Sequence, residues 1–433
     1  MSNGNTCATR IYACATMWHE EKSEMKELIG SILRMDRDQC AMRVTQRYYG
    51  VKIRDYYELE THIFFDDAFK CVHDCLTECP HPDTESQVNQ YVLDLLDTIE
   101  KTIESLNMRY TTPVKYPTPF GGRMVWRLPG GSELVVHLKD KNRIRHRKRW
   151  SQVMYMYYLL GYRLMSAPLP PSEKEDLAEN TYILTLDGDI DFQPEAVKIL
   201  LDLMKKNREL GAACGRIHPV GKGPMIWFQK FEYAIGHWLQ KSTEHTIGSV
   251  LCSPGCFSLF RAKSLMRTNV MARYATRSTE PRHYIQYDQG EDRWLCTLIL
   301  QAGCRVEYSA ASDAYTHAPE KFRDFFIQRR RWIPSTVANI LDLLFTARQT
   351  RKLNSDISWI YIAYQWILMG STILGPGTIF LMMVGAAATA FKISNWISFT
   401  YNLLPLLLFI LVCLLFREPI QLLVAEIISV IYS

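Results

Sequence analysis

The residues from 357 to 391 carry no charged side chain, and this run restricts the possible folds more than any other feature of the chain. A helix needs about 20 consecutive apolar residues to cross the hydrocarbon core of a bilayer. The run is longer than one perpendicular helix requires, and its Gly-Pro-Gly at 375–377 is typical of a break or kink. One long tilted helix and two short pieces both satisfy the pattern. We expect a single membrane crossing rather than a buried core helix.

Two further apolar runs follow, at 399–416 and at 419–433. After residue 356 only four side chains are charged: Lys392, Arg417, Glu418 and Glu426. Three basic residues precede the first run: Arg348, Arg351 and Lys352. Because Lys and Arg accumulate on the cytoplasmic side of membrane spans, we expect residues 1–321 to form a cytosolic domain and residues 357–433 to form a membrane region.

Overall composition restricts the possible functions less than the division into a charged domain and an apolar membrane region does. The net charge of +5 over 433 residues is mild and identifies no class of partner. The first twenty residues lack the apolar core and cleavage site of a signal peptide, so we expect none to be removed. In a cytosolic domain the twelve cysteines should be reduced thiols for the most part.

Segments with the patterns of strands and helices alternate in the first half of the chain. The expected strands lie within residues 10–20, 61–69, 132–140 and 181–192. The expected helices cover residues 23–36, 85–109, 146–161 and 194–207. This alternation predicts an α/β fold with a mostly parallel sheet flanked by helices. In such sheets ligands bind outside the carboxyl ends of the strands.

Carboxylates follow two of the expected strands. Asp187 and Asp189 come directly after the buried run "YILTL", and Asp-x-Asp at a strand end can hold a divalent cation that bridges a diphosphate. Surface turns produce the same motif, which is the alternative. Asp66 and Asp67 follow the neighbouring strand, where the alternative is a helix N-cap.

A third pair of acids, Glu291 and Asp292, opens an apolar helix. A carboxylate in this position can act as a general base toward a substrate hydroxyl. The alternative is a capping acid beside its own neighbour, Arg293.

Residues 322–345 have the spacing of an amphipathic helix at a membrane interface, and a basic linker to residue 356 follows. Its apolar residues expected at the interface are Phe322, Phe325, Phe326, Ile333, Val337 and Ile340. The segment also contains "QRRRW", in which arginine suits phosphate and tryptophan offers a flat face for a sugar.

Two other patterns favour structural roles. Trp227, Phe231, Ala234 and Trp238 fall on one helical face, and we expect them to pack in the core, with a sugar-facing role as the lesser alternative. Cys71, Cys75 and Cys79 have helical spacing, with His73 and His81 nearby. One zinc ion cannot reach three thiols spread along a helix, so we expect buried thiols.

The acidic and basic motifs together resemble those of processive family-2 glycosyltransferases. They occur in the family's order and are followed by membrane helices: "FDDAF", "DGD", "GEDRW" and "QRRRW". Longer blocks resemble the chitin synthases of arthropods and nematodes: "CATMWHE", "GRIHPVGKGPMIWFQKFEYAIGHWLQK", "CSPGCFSLFR", "QYDQGEDRWL" and "EYSAASDAYTHAPE". The resemblance runs from about residue 10 to the C-terminus. Synthases of the animal type carry further membrane helices on both sides of this region, so we expect the chain to be a partial product or fragment of such a synthase, or a short paralogue.

The resemblance implies a glycosyltransferase-A-type domain in the cytosol of a multi-pass plasma-membrane protein. UDP-N-acetylglucosamine would be the donor, the growing β-1,4 chitin chain the acceptor, and the transfer would invert the anomeric centre. Cellulose- or hyaluronan-type synthesis and a catalytically silent membrane subunit are the alternatives. The lipid bilayer is an implied partner, a homo-oligomer is compatible with the resemblance, and we expect no nucleic acid partner.

The resemblance also implies roles for individual residues. Asp292, beside Glu291, would be the catalytic base, and Asp187 with Asp189 would hold Mg²⁺ or Mn²⁺. The implied donor-binding residues are Thr16, Glu20, Asp66, Asp67, Lys139, Arg149, Asp187 and Arg331. The implied acceptor-binding residues are Gly255, Cys256, Gln328 and Trp332.

Lys139 and Arg149 come from the basic segment 137–152, which has seven Lys and Arg residues between positions 139 and 149. A solvated basic face, a patch against anionic lipid and a nuclear localisation signal are the alternatives there. The last of these fits poorly with membrane spans.

Overall fold

The computed structural model describes residues 8–71 and 86–432. Cys75, Cys79, His73 and His81 of the cysteine-rich pattern lie outside these ranges. The strands, in chain order, are β1 (Arg10–Met17), β2 (Glu58–Phe65), β3 (Phe69–Cys71), β4 (Ser86–Val88), β5 (Val114–Thr118), β6 (Gly121–Arg127), β7 (Glu133–Lys139), β8 (Thr181–Asp187), β9 (Ile190–Phe192), β10 (Leu210–Val220), β11 (Phe257–Arg261) and β12 (Arg305–His317).

Ten strands form one mixed sheet in the order β5-β6-β7-β2-β1-β8-β11-β10-β12-β9. The four neighbours β7, β2, β1 and β8 are parallel, and so are β10 and β12. β11 lies antiparallel between β8 and β10. β3 and β4 pair as a separate ribbon. The predicted α/β fold with a mostly parallel sheet is therefore confirmed.

The helices, in chain order, are α1 (Lys22–Tyr49), α2 (Gln90–Ser105), α3 (Lys148–Met156), α4 (Pro171–Glu179), α5 (Pro194–Lys206), α6 (Pro224–Ile235), α7 (Ser242–Ile247), α8 (Ala262–Met266), α9 (Val270–Tyr274), α10 (Pro281–His283), α11 (Glu291–Gln301), α12 (Phe322–Phe345), α13 (Ala347–Leu353), α14 (Trp359–Phe391), α15 (Asn395–Leu415) and α16 (Glu418–Tyr432). Three π-helical segments continue or precede them: Tyr157–Leu164, Gly236–Lys241 and Tyr284–Asp288. α1 is longer than the expected helix at 23–36 and ends at Gly50, whose φ of +65° provides the left-handed cap that terminates many helices.

The two faces of the sheet bury two separate apolar cores. Along β1, Ile11, Ala13 and Ala15 belong to one core, whereas Tyr12 and Cys14 belong to the other, as the alternation of side chains along a strand requires. Helices α1, α2 and α5 cover the first face. The second face is covered by α3, α8, α9, α11 and α12. Because both faces are covered, strands such as β8 are buried almost throughout.

The C-terminal helices follow the expected order. α12 has the bounds that its spacing predicted. α14 is one continuous helix of 33 residues with Pro376 inside it, in agreement with the expected single run. In the part of the chain that the structure describes, α14 and α15 are long and apolar enough to cross a membrane, and α16 has a shorter apolar stretch. The first turns of α14 are buried in the second core through Tyr361 and Ile362, so this helix starts against the globular domain.

Candidate active site

The carboxyl ends of β1 and β8 bring the first group of predicted site residues together. Thr16 pairs in register with Asp187, the last residue of β8. Glu20, on the turn after β1, lies against Gly188, where an added Cβ would be 2.6 Å from the Glu20 carboxyl carbon. Thr316, near the end of β12, donates from its hydroxyl to Oδ2 of Asp189 at 2.9 Å. Three carboxylates from two loops therefore converge at one edge of the sheet.

Glu20 and Asp189 of this cluster, and Glu291 at the start of α11, have raised pKa values. Burial, with smaller contributions from Asp189 and Asp187, raises the pKa of Glu20 to about 7. Burial and the charge of Asp187 raise the pKa of Asp189 to about 6. Burial and the charge of Asp292 raise the pKa of Glu291 to about 7. Burial is the largest cause for all three residues, and the charges of neighbouring carboxylates add to it.

Lys148 is the cation at the centre of these acids. Its Nζ lies 2.7 Å from Oδ1 and 2.9 Å from Oδ2 of Asp187, and 3.8 Å from Oε1 of Glu291. Burial opposes the charged form, but Asp187, Asp292 and Glu291 together hold the pKa of Lys148 well above its usual value. Lys148 therefore bridges the Asp-x-Asp loop and the start of α11.

Lys148 is not among the residues predicted from the sequence. Lys139 and Arg149, from the same basic segment, were predicted instead. Basic residues crowd this segment, and they show no spacing that marks one of them. The useful signal was the start of a helix, because α3 begins at Lys148 and turns that side chain toward the strand ends.

Asp292 lies in the first turn of α11 and faces the loop before β11. The backbone N–H of Gly255 donates to Oδ2 of Asp292 at 2.9 Å. Phe257, the first residue of β11, pairs with Leu186, which places Gly255 and Cys256 beside the end of β8. Burial, followed by the charge of Asp187, raises the pKa of Cys256 well above its usual value. The predicted base and the predicted acceptor loop are thus in contact.

On the donor side, Asp66 and Lys139 form a buried ion pair. Lys139 Nζ lies 2.6 Å from Oδ1 of Asp66 and 2.8 Å from Oγ of Ser151. Burial lowers the pKa of Lys139, and Asp66 opposes that shift. Asp67 differs from Asp66, since it pairs with the more exposed Lys141 at 3.3 Å and has a φ of +53°. The choice between Asp66 and Asp67 as the nucleoside contact stays open.

The guanidinium of Arg149 is also hydrogen-bonded within the domain. It donates to Oδ1 of Asp288 and to the carbonyl oxygen of Tyr274, both at 2.6 Å, and also to that of Thr276. The side chain is 2% exposed. Arg149 therefore ties α3 to the segment that follows α9. Its predicted contact with donor phosphates stays a prediction.

The "QRRRW" segment lies on α12, and its first arginine is the best anchored. Arg329 donates to Glu232 of α6, with an Nε–Oε1 distance of 3.1 Å and a second bond between Nη2 and Oε2. It also donates to Oε1 of Gln328 at 2.6 Å and stacks 4.4 Å from the ring centre of Trp332. Arg331 is exposed. Arg329 therefore joins α12 to α6 and contacts both predicted acceptor residues, Gln328 and Trp332.

Residues 174–429 match the family described as chitin synthase. The chain belongs to the chitin synthase family. It is 57% identical over 425 residues to chitin synthase chs-2 of Caenorhabditis elegans, covering 98% of this chain and 25% of that protein. It is 54% identical over 424 residues to a chitin synthase of Meloidogyne artiellia, covering 98% of this chain and 22% of that one. The chain thus spans about a quarter of the length of these curated relatives.

Among solved structures, the mannosyltransferase PcManGT from Pyrobaculum calidifontis aligns with 99% of this chain and 82% of its own. The TM-score is 0.43 and the sequence identity 10%. Similarity at that level supports no functional inference.

A divalent cation fits the residues of this site if phosphate oxygens of a substrate complete its ligand shell. In residues 8–71 and 86–432 no group of three or more His, Cys, Asp or Glu side chains is arranged to enclose a metal ion. Asp187 and Asp189 nevertheless offer hard oxygen ligands, and burial together with the charge of Asp187 raises the pKa of Asp189 to about 6. Mg²⁺ is commonly bound by one or two carboxylates together with phosphate oxygens and water.

The outward face of α6 and of the π-helical segment after it contradicts one prediction from the sequence. Trp227, Phe231 and Trp238 are 68%, 67% and 61% exposed, so their expected packing in the core is wrong. The helix is held instead by its other side, where Gln229 donates to the carbonyl oxygen of Pro319 at 2.7 Å. Both sides of α6 carry apolar residues, and periodicity alone cannot tell which side is buried.

One residue of the expected interfacial face of α12 is also placed differently. Ile340 is 4% exposed and belongs to the second core, whereas Ile333 is 56% exposed. The first half of α12 remains the part available to an interface, because its second half packs against the domain.

Proposed function

We propose that this chain is the catalytic part of a chitin synthase, which transfers N-acetylglucosamine from UDP-N-acetylglucosamine to the 4-hydroxyl of a growing β-1,4 chain. The observation that carries the proposal is the position of Asp292, which Gly255 fixes beside Asp187 and Lys148. The donor sugar is α-linked and the product is β-linked. A single in-line displacement achieves that change, and it needs one base and a stabilised leaving group.

Asp292 takes the proton of the acceptor hydroxyl. A general base must lie within hydrogen-bonding reach of the proton it removes, and the loop of Gly255 and Cys256, which contacts Asp292, is where the acceptor's terminal sugar would lie. Glu291 lies beside Asp292, and its Oε1 is 3.8 Å from Nζ of Lys148. We assign Glu291 the role of holding Lys148.

Lys148 and Arg331 neutralise the departing UDP. Lys148 already lies among the carboxylates that face the diphosphate site, and Arg331 is exposed on α12 with its forked donors available to phosphate. Asp187 and Asp189 would hold Mg²⁺ or Mn²⁺, which supplies further stabilisation of charge on the leaving group.

The remaining donor contacts lie around the ends of β1, β2 and β7. Thr16 and Glu20 contact the nucleoside of the donor, with Asp66 or Asp67 beside them. The ion pair of Lys139 with Asp66 supports a positioning role for Lys139, because its ammonium is buried against the carboxylate. Arg149 has the same kind of role toward the segment after α9.

Gln328 and Trp332 position the acceptor, and the membrane helices begin a short distance further along the chain. α14 and α15 support a multi-pass protein of the plasma membrane whose catalytic domain faces the cytosol. In that arrangement the new polymer would leave the site close to the bilayer. The family match and the two apolar helices support this placement.

The test is product formation by membranes that contain the chain. They are incubated with radiolabelled UDP-N-acetylglucosamine and Mg²⁺ or Mn²⁺, and insoluble product is treated with chitinase. Chitinase-sensitive polymer supports the proposal. No polymer, while membranes containing a longer family member are active in parallel, refutes it for this chain. Incorporation from UDP-glucose instead would identify another β-glycan synthase.

A further inference from the structure

A cavity of about 420 Å³ lies between α6, the π-helical segment after it and the carboxyl ends of β10 and β12. Trp238 and Tyr315 form aromatic walls and are 61% and 43% exposed. Tyr315 directly precedes Thr316, which donates to Asp189. The cavity therefore borders the acid cluster without including its residues, and its volume is typical of sites for small ligands.

A buried donor in the cavity wall has no partner. His237 is 5% exposed, and its Nε2 accepts a 3.4 Å hydrogen bond from the backbone N–H of Ile217. The other ring nitrogen, Nδ1, must then carry the proton, and it is buried without a hydrogen-bond partner among the residues that the structure describes. Burial, together with nearby Lys241, His218 and Arg216, lowers the pKa of His237 to about 2, so the ring stays neutral and keeps this single donor. Buried donors without an acceptor are rare, and one in a cavity wall points to an acceptor on a ligand.

The charged residues around the cavity leave donors facing it. Arg216 stacks 5.2 Å from the ring centre of Trp238, and Asp313 accepts from both Arg216 and His218 at 2.8 Å. Lys230 adds an ammonium group to the lining. None of the described residues that line the cavity is an Asp or a Glu. The lining thus combines aromatic faces with hydrogen-bond donors and contains no carboxylate.

This combination selects a class of ligand. A cation would find no carboxylate to bind, and a small inorganic anion would make no use of the aromatic walls. A pyranose ring presents a face of C–H bonds that packs on an aromatic ring, and its hydroxyl and acetamide oxygens accept hydrogen bonds. An N-acetylated sugar matches the aromatic walls, the unpaired His237 Nδ1–H and the Lys230 ammonium together.

We propose that this cavity binds a β-1,4-linked N-acetylglucosamine oligosaccharide at a second site, outside the catalytic centre. The choice of this sugar rests on the proposed function, because the product chain would be present in quantity beside the site. Trp238 supplies the stacking face, and His237 and Lys230 supply the donors. The acetamide oxygen is the feature that separates this ligand from an unacetylated β-glucan oligomer.

The test is calorimetric titration of the full chain in detergent with the tetrasaccharide of N-acetylglucosamine and, separately, with cellotetraose. We expect saturable binding of the acetylated sugar and binding of cellotetraose that is at least tenfold weaker. Trp238→Ala should weaken binding at least tenfold, and Lys230→Met several-fold. Trp227→Ala is the matched control, because Trp227 is equally exposed on α6 and does not line the cavity; it should change binding less than twofold. Melting temperatures confirm that each variant is folded.

Three results would overturn the proposal: no saturable binding, equal binding of cellotetraose, or binding that survives Trp238→Ala and disappears in Trp332→Ala. The last would place the sugar in the catalytic centre alone. Polymer synthesis is measured on the same preparations. Binding that depends on Trp238 without polymer synthesis would refute the proposed function and leave the second site standing, whereas synthesis without such binding would refute the second site only.

Discussion

Oδ2 of Asp292 accepts a 2.9 Å hydrogen bond from the backbone N–H of Gly255. The two residues belong to different elements, since Gly255 precedes β11 and Asp292 opens α11. A Cβ added at residue 255 would lie 2.2 Å from Oδ1 of Asp292, which is far inside van der Waals contact. The absence of a side chain at residue 255 therefore allows the contact that fixes the direction of the carboxylate.

We expect Gly255→Ala to lower the rate of polymer synthesis on the order of a hundredfold, because a shift of about 1 Å in a reacting group costs that much. The melting temperature should change little, since the loop can move without exposing the core. Gly236→Ala is the control, because no atom lies within 4 Å of an added Cβ there. Equal rates for the two variants would show that the position of Asp292 does not limit the reaction.

Asp292→Asn keeps the shape of the side chain and the acceptor for the Gly255 N–H, but it removes the base. Proton transfer by a positioned group contributes about 10² to 10⁴ in rate, and the variant should lose polymer synthesis by that factor. Its affinity for UDP, measured by calorimetry, should stay within about twofold of the unmodified chain. Retention of full activity would assign the base to another residue.

Lys148→Met should change the affinities for Mn²⁺ and for UDP in opposite directions. Lys148 covers both oxygens of Asp187, so its removal frees that carboxylate for a divalent cation, and Mn²⁺ should bind the nucleotide-free chain more tightly. UDP should bind about tenfold more weakly, because a cation beside the diphosphate is lost. Titrations with Mn²⁺ alone and with UDP measure the two effects. Lys101→Met, on the far end of α2, should change neither. Weaker binding of both ligands would contradict the assignment.

The position of the acid cluster could be predicted from the sequence because strand direction determines it. A buried run such as "YILTL" in a parallel sheet places Asp187 and Asp189 at the same edge as the residues after β1, and the register of Thr16 with Asp187 confirms this. The expectation needed only the pattern of apolar strands and the rule that ligands bind at their carboxyl ends.

The partner of each charge could not be predicted in the same way. Lys139 and Lys148 belong to one basic segment, yet Lys139 is buried against Asp66, whereas Lys148 lies among Asp187, Glu291 and Asp292. Which lysine points where depends on the residue at which α3 begins, and boundaries of that kind follow from tertiary packing. The prediction that the aromatic face of α6 packs in the core was wrong for a related reason. The sequence pattern identifies an apolar face, but it does not identify what covers that face.

The raised pKa of Glu291 makes the stability of the ligand-free chain depend on pH. Burial and Asp292 raise this pKa from its ordinary 4.5 to about 7, so the folded chain binds the proton more tightly than the unfolded chain does. The stabilisation is complete below about pH 4.5 and is lost as the pH rises to about 7, and it amounts to about 3 kcal/mol at most. We expect the melting temperature in detergent to fall over this range. Glu291→Gln should reduce the slope without removing it, because Glu20 and Asp189 also have pKa values raised to about 7 and about 6. Glu104→Gln, at an exposed site on α2, should leave the slope unchanged. An unchanged slope in Glu291→Gln would contradict the origin we give for it.

The neighbouring arginines of α12 should differ in importance for the reaction. Arg331 is exposed and assigned to the departing diphosphate, whose oxygens its forked donors can bind in pairs, and lysine offers no such fork. We therefore expect Arg331→Lys to lower polymer synthesis at least tenfold more than Arg330→Lys does, with similar melting temperatures for both. Initial rates at several concentrations of UDP-N-acetylglucosamine, with UDP as a competing inhibitor, measure the difference. Because Arg329 holds α12 to Glu232, that contact should be intact in both variants, and a loss of activity can be attributed to the substituted side chain. Equal losses would mean that the diphosphate is not bound by Arg331.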